Sequence, residues 1–213
     1  MNALNILLFS IFLVVAFFVG SLPSGFLIGK IRGDDVTKTG SGNIGATNVA
    51  RTGRNKFEKI FLFALVFILD GGKAFLVLHI LGAFFEDIFL LNLLAITILL
   101  GNITPFSFFG AHRGKGVATS SGAMLALAPP IFLFGGIALF VVMLYTERYV
   151  SVASVSAVAF VCTLTLLFFH DALPFALVAA IVVYIRHREN FLRIEKKEEP
   201  RTRFPWEKKK ITP

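Results

Sequence analysis

Long apolar runs separated by short polar stretches make up most of this chain. Hydropathy read together with proline, glycine and charge breaks predicts seven membrane helices. They fall at about residues 3–28, 57–83, 88–108, 117–128, 131–145, 150–169 and 173–185. The fourth run stops at Pro129-Pro130, so the alternative is a single helix kinked at those prolines, leaving six spans. Phenylalanine is abundant, with 25 copies, yet little period-two alternation accompanies it. The expected fold class is therefore all-α, a polytopic membrane protein.

Composition agrees with the pattern. Of 213 residues, 56% are hydrophobic, more than a soluble domain of this size can use. Charge then decides the span count. Assigning the connections alternately to two sides places 20 of the 21 Lys and Arg on one of them. Seven lie within residues 30–59, two are Arg113 and Lys115, one is Arg148 and ten follow Ile185. The remaining cation, Lys73, falls inside the second span. The opposite connections carry Glu86, Asp87, His170 and Asp171 without a Lys or Arg. The positive-inside rule then predicts an outside N-terminus and a cytoplasmic C-terminus. Six spans would strand Arg148 and turn the basic tail outward, so seven is the expected count.

The first run lacks a basic leader and a convincing cleavage site, and is read as a helix rather than a signal peptide. Residues 1–190 form one seven-helix transmembrane unit on this reading, and residues 191–213 a basic, solvated cytoplasmic tail that touches anionic headgroups. The single cysteine, Cys162, lies inside the sixth span, which excludes a disulfide.

Four polar segments share the basic side. Residues 40–51 read Gly-Ser-Gly-Asn-Ile-Gly-Ala-Thr-Asn-Val-Ala-Arg. They offer bare amides at Gly42, small polar side chains at Ser41, Asn43 and Thr47, and the guanidinium of Arg51. Those are the parts of an anion cradle. The string also matches G-x-G-x-x-G, but it follows a membrane helix, and the position about 20 residues on is apolar, so a dinucleotide site is rejected. The second segment holds Lys115 between Gly114 and Gly116 at a predicted helix N-terminus, a phosphate-compatible place although not a Walker A loop. Residues 148–154 contribute Ser154. In the fourth segment, His187 and Asn190 stand three apart, and a continuing helix would put them on one face. Asp70 and Lys73 are spaced for an intramembrane ion pair, read as structural. No His, Cys and carboxylate cluster has metal-ligand spacing, so no metal and no cofactor are expected. Neither a Ser-His-Asp arrangement nor a His-x4-Asp string is present, and nothing reads as a nucleic-acid site or an obligate protein interface.

Taken together, the four segments resemble the bacterial acyl-phosphate:glycerol-3-phosphate acyltransferases, integral membrane enzymes of phospholipid synthesis. Residues 40–48 with Arg51 look like that family's first motif, Gly101, Pro105 and residues 114–119 its second, residues 148–154 its loop before the sixth helix, and residues 187–190 its third. Asn102, Arg113 and Ala74 depart from the family pattern. The resemblance implies transfer of a fatty acyl group from acyl phosphate to the 1-hydroxyl of glycerol 3-phosphate in the bacterial inner membrane, with the site on the cytoplasmic side. Implied substrate-binding residues are Ser41, Gly42, Asn43, Thr47, Arg51, Gly114 and Gly116. The same resemblance assigns catalytic roles to Lys115, Ser154, His187 and Asn190, with either His187 or a substrate phosphate as the proton acceptor. An activated donor needs no covalent nucleophile, which suits the missing triad. A small-anion transporter and a metal-dependent lipid phosphotransferase are the rival readings. The first needs polar groups on the outer half, and the second a carboxylate-rich metal motif.

Overall fold

The computed structural model describes residues 2–85, 87–104 and 114–202, and every regular element among them is helical. Ten α-helices follow in order: α1 Ala3–Ser21, α2 Ser24–Arg32, α3 Ala46–Ala50, α4 Lys56–Gly82, α5 Ile88–Ile103, α6 Val117–Leu127, α7 Pro130–Glu147, α8 Val150–Phe168, α9 Leu173–Arg186 and α10 Arg188–Glu195. A 3-10 turn at His170–Ala172 leads into α9.

Local chemistry sets several of these ends. Asn2, Asn55 and Asp87 each accept a backbone N–H from the first turn of α1, α4 and α5, at 2.9, 2.8 and 2.8 Å. The predicted first span does not run unbroken to Ile28: the chain leaves α1 at Leu22 and restarts after Pro23. Lys73 explains how that break is tolerated. Its Nζ donates to the Leu22 carbonyl at 2.7 Å and to Asp70 Oδ1 at 2.8 Å, and Ser24 Oγ donates to the same carboxylate oxygen at 2.8 Å. The Asp70–Lys73 pair is thus a structural tie between α4 and the interrupted helix. The alternative of one kinked helix in place of the fourth and fifth spans does not occur. Ala128 (φ −134°, ψ 161°) and Pro129 (φ −52°, ψ 134°) are both extended and separate α6 from α7. The third span ends at Ile103, earlier than predicted, and residues 105–108 lie outside the described residues.

Among the described residues, four apolar segments are long enough to cross a bilayer: Ala3–Arg32 taken as one run, Lys56–Gly82, Pro130–Glu147 and Val150–Phe168. A fifth is a bent pair, His170–Arg186 with Arg188–Glu195, turned by 43°. Two shorter apolar helices, α5 and α6, complete the bundle. Large apolar side chains stand exposed along these helices, among them Ile68, Leu76, Phe134, Val141, Leu167 and Ile181. That surface is the reverse of a soluble protein's and is made for lipid.

Because lipid tails offer no hydrophobic gain on helix association, the bundle closes through small residues that bring backbones together. A Cβ on Gly122 would fall 1.9 Å from the Gly71 carbonyl oxygen, locking α6 against α4. A Cβ on Gly101 would fall 2.2 Å from the Phe17 oxygen, locking α5 against α1. The buried core gathers Leu94, Ile98, Leu99, Ala123, Phe175 and Ala179. At one end Asn92 pins α9 to α5: its Nδ2 donates to the Ile88 and Asp171 carbonyls, both at 2.8 Å, and its Oδ1 accepts from the Phe175 N–H at 3.0 Å.

Candidate active site

The loop from Gly33 to Gly45 would collapse without a center, and Asn48 supplies one. Its side chain is buried. Nδ2 donates to the carbonyls of Val36 (3.0 Å) and Thr39 (2.9 Å), while Oδ1 accepts from the Ser41 N–H (3.0 Å) and from Arg51 Nη1 (3.3 Å). Gly40, at φ 55°, makes room for this: a Cβ there would lie 2.5 Å from Asn48 Oδ1 and 2.7 Å from Arg51 Nη1. Asn43 Oδ1 accepts the Gly45 N–H at 2.8 Å. The loop therefore presents Ser41, Asn43, Thr47 and Arg51 as one rigid surface over a small core of Val36, Ile44, Val49, Leu62 and Val66.

That surface faces the start of α6. The Gly114 N–H donates to the Asn102 carbonyl at 2.9 Å, and a Cβ on Gly114 would strike Asn102 Oδ1 at 2.3 Å. Gly116 (φ 84°) turns the chain into α6, whose first N–H groups follow Lys115 directly. Lys115 Nζ donates to Asn190 Oδ1 at 2.5 Å, tying α6 to α10. Arg186 Nε donates to the Gly114 carbonyl at 3.3 Å.

These groups line a cavity of about 440 Å³. Its mouth is polar, with Ser41, Asn43, Thr47, Arg51, Gly114, Lys115, Gly116, Ser154 and Asn190 all on the wall. Its depth is apolar, between α4, α6, α7 and α8, where Phe67, Met124, Phe140, Val158 and Cys162 form the sides. Two expected site residues are not on that wall. Gly42 (φ 67°) shapes the turn, its N–H donating to the Thr39 carbonyl at 3.0 Å. His187 is buried and is not among the lining residues; it is the junction at which α9 gives way to α10, with φ −102° and ψ 0° and a bend of 43° between the two helices. Asn190 follows in the first turn of α10, its N–H donating to the His187 carbonyl at 2.9 Å, and both side chains are buried. Pro105 and Arg113 lie outside the described residues.

The electrostatics follow from burial. Desolvation pushes the Lys115 ammonium down to about 8, with Arg193, Arg186 and Arg51 acting in the same direction and Glu199 opposing them. His187 is pushed down to about 4, first by burial and then by the Lys115 charge. Its Nδ1 lies 2.8 Å from the Val183 carbonyl, which can only accept, so the proton sits on Nδ1 and Nε2 keeps its lone pair.

Several lining groups escaped the sequence reading. The hydroxyls of Thr119, Ser120 and Ser151 are buried on the cavity wall and, among the described residues, have no hydrogen-bond partner. All three lie in or beside the motif strings, where spacing alone did not separate them from Ser154. Glu199 also reaches the wall from a segment expected to be solvated.

An all-helical bundle with a lipid-facing surface, holding a cationic, amide-rich mouth over an apolar shaft, defines an integral membrane protein built around an anion-compatible pocket. The chain belongs to the glycerol-3-phosphate acyltransferase family, whose model matches residues 10–197. It is 37% identical over 206 residues to the glycerol-3-phosphate acyltransferase of Staphylococcus carnosus, covering 90% of this chain and 96% of that one. The Aquifex aeolicus protein of the same name is 36% identical over 189 residues, covering 87% and 95%. Among solved structures, the chain is similar to the crystal structure of PlsY (YgiH), an integral membrane glycerol 3-phosphate acyltransferase, in its glycerol 3-phosphate form. That match has a TM-score of 0.82 at 32% identity and covers 92% of this chain and 96% of that one. The lysophosphatidic acid form of PlsY matches with a TM-score of 0.80.

Proposed function

We propose that this chain transfers a fatty acyl group from acyl phosphate to the 1-hydroxyl of glycerol 3-phosphate, releasing lysophosphatidic acid and phosphate. The observation that carries this reading is the division of one cavity into a cationic mouth and an apolar shaft. Both proposed substrates bear phosphate, and one also bears a long chain. The relatives' names and the glycerol 3-phosphate and lysophosphatidic acid forms of PlsY support the acceptor and the product.

The chemistry needs little from the protein beyond placement and charge. The 1-hydroxyl oxygen attacks the acyl carbon, the bond from that carbon to the phosphate oxygen breaks, and the departing phosphate takes the hydroxyl proton. The turn at Ser41–Asn43 with Thr47 holds the acyl-phosphate head and stabilises the developing oxyanion. Arg51 and Lys115 neutralise phosphate, Ser154 positions a substrate oxygen, and Asn190 orients glycerol 3-phosphate. Burial lowers the basicity of the His187 imidazole, which favours the departing phosphate as the proton acceptor on this reading. Its Nδ1 bond to the Val183 carbonyl fixes the imidazole at the junction of α9 and α10, three residues before Asn190 in sequence.

On this reading the seven apolar helical segments are seven crossings, with the N-terminus outside, the tail in the cytoplasm and the mouth facing the cytoplasmic side of the bacterial inner membrane. The concentration of Lys and Arg on one set of connections supports that orientation. Helix α6, with 11 residues, is about 16 Å long, roughly half a hydrocarbon core. Its start at Lys115 would then be sunk below the headgroups, close to the acyl chains. No metal, cofactor or protein partner enters the reaction.

Purified protein mixed with palmitoyl phosphate and glycerol 3-phosphate, without added metal, should release phosphate and lysophosphatidic acid. Transfer only from palmitoyl-coenzyme A or an acyl carrier thioester, with palmitoyl phosphate inert, would overturn the donor assignment.

A further inference from the structure

Beyond α10 the chain turns back on itself. Lys197 adopts φ 58°, and the N–H groups of Glu198 and Glu199 donate to the Arg193 carbonyl at 2.8 and 3.2 Å. The returning segment is tied down again at the α7–α8 turn. There the Thr202 N–H donates to the Arg148 carbonyl at 2.7 Å, Arg201 Nε donates to the Tyr149 hydroxyl at 3.0 Å, and the Arg201 guanidinium lies 5.2 Å from the Tyr149 ring centroid. Asn190 and Val150 both line the cavity, so a segment fastened near each of them spans its mouth.

Between the two fastenings, Glu199 points inward, its side chain only 7% exposed. Oε1 accepts from Asn190 Nδ2 at 2.7 Å and Oε2 from Arg193 Nε at 2.8 Å. Asn190 in turn accepts from Lys115. A carboxylate thus sits among Lys115, Asn190 and Arg193, taking the hydrogen bonds an incoming phosphate would seek. The other carboxylate on the described cavity wall, Asp70, is already held by Lys73 and Ser24. Glu199 also lies past the stretch that matches the family model, which ends at residue 197.

We propose that the segment 198–202 is an autoinhibitory strap, with the Glu199 carboxylate occupying the anion place of the cavity and competing with phosphate-bearing ligands for it. The proposal rests on the phosphate reading of that cavity given above. Binding of a phosphate dianion requires Glu199 to leave, and the strap is held by an exposed contact at Arg201 and a single backbone bond at the half-buried Thr202, both of which can open without disturbing the helices. A ligand that must wait for the open state binds with its affinity reduced by the fraction of open molecules. If the strap is closed in about four molecules of five, freeing it tightens phosphate binding about fivefold.

Isothermal titration of the full-length protein in detergent with inorganic phosphate tests this without any acyl donor. Glu199→Gln keeps the shape and one acceptor while removing the charge, and should tighten phosphate binding by about fivefold or more. Arg201→Ala loosens the strap without touching the cavity and should shift affinity in the same direction. The two variants keep the test alive if one fails to fold. Unchanged or weaker phosphate binding in whichever variants fold would overturn the proposal and make Glu199 a brace for Asn190. The acyl-transfer assay of the wild-type protein, run alongside, fails independently if the reaction itself is misassigned.

Discussion

Raising the pH should disarm Lys115 within an accessible range. Burial, reinforced by three arginines, brings its ammonium down to about 8, whereas a solvated lysine stays charged to about 10.4. About nine-tenths of the molecules therefore carry the charge at pH 7, about one-tenth at pH 9 and about one-hundredth at pH 10. The second ionisation of a phosphate monoester lies near 6, so above pH 8, where the fall is read, glycerol 3-phosphate is almost entirely dianion and contributes no titration of its own. If the bound phosphate needs the charged ammonium, its affinity should fall about tenfold for each pH unit above 8, which is about 1.4 kcal/mol per unit. The fall levels off where the pH reaches the higher pKa of Lys115 in the complex. Titration of glycerol 3-phosphate into the purified protein between pH 6.5 and 10 measures it directly. Lys115→Arg supplies the control, because a guanidinium stays charged across the whole range and should leave the profile flat. An affinity that does not change up to pH 10, or one that falls equally in Lys115→Arg, would refute the reasoning.

Other perturbations test the scaffold. Asn48→Ala leaves the Val36 and Thr39 carbonyls and the Ser41 N–H without their partner and frees Arg51; the loss should be about 1–3 kcal/mol per buried group, with KM for glycerol 3-phosphate rising more than thermal stability falls. Gly122→Leu cannot be absorbed against the Gly71 carbonyl, and should abolish the monodisperse folded peak in size-exclusion chromatography. Lys73→Met leaves Asp70 unpaired and should cost about 3–5 kcal/mol in thermal or denaturant stability, while Asp70→Asn combined with Lys73→Met recovers most of it. His187, held near 4 against about 6.5 when unfolded, binds fewer protons in the fold than out of it between those values. Stability is therefore present above pH 6.5 and lost as pH falls toward 4, by up to about 3 kcal/mol; melting curves across that window should flatten in His187→Gln.

How much of this was legible beforehand depends on the range of the interaction involved. Apolar runs, Pro129-Pro130 and the glycine-flanked Lys115 are local signals, so the helical membrane class, the separation of α6 from α7 and the composition of the cavity mouth could be read directly. The i, i+3 spacing of Asp70 and Lys73 likewise foretold their pairing. It could not foretell that the pair would also stitch the break at Leu22 and Pro23, since Lys73 reaches the Leu22 carbonyl across 51 residues of chain.

His187 shows where sequence reading stops. Spacing put it beside Asn190, but only the folded chain shows that a 43° bend between α9 and α10 falls at this residue and that Asn190, not His187, lines the cavity. Sequence by itself determined what kind of molecule this is and which polar segments line its cavity, because hydrophobicity, glycine geometry and charge act on near neighbors. Tertiary structure alone decided which of those side chains meet: the rotation of each helix is set by backbone contacts such as Gly122 on Gly71, and only the folded chain brings Glu199 back to Asn190 and Arg193.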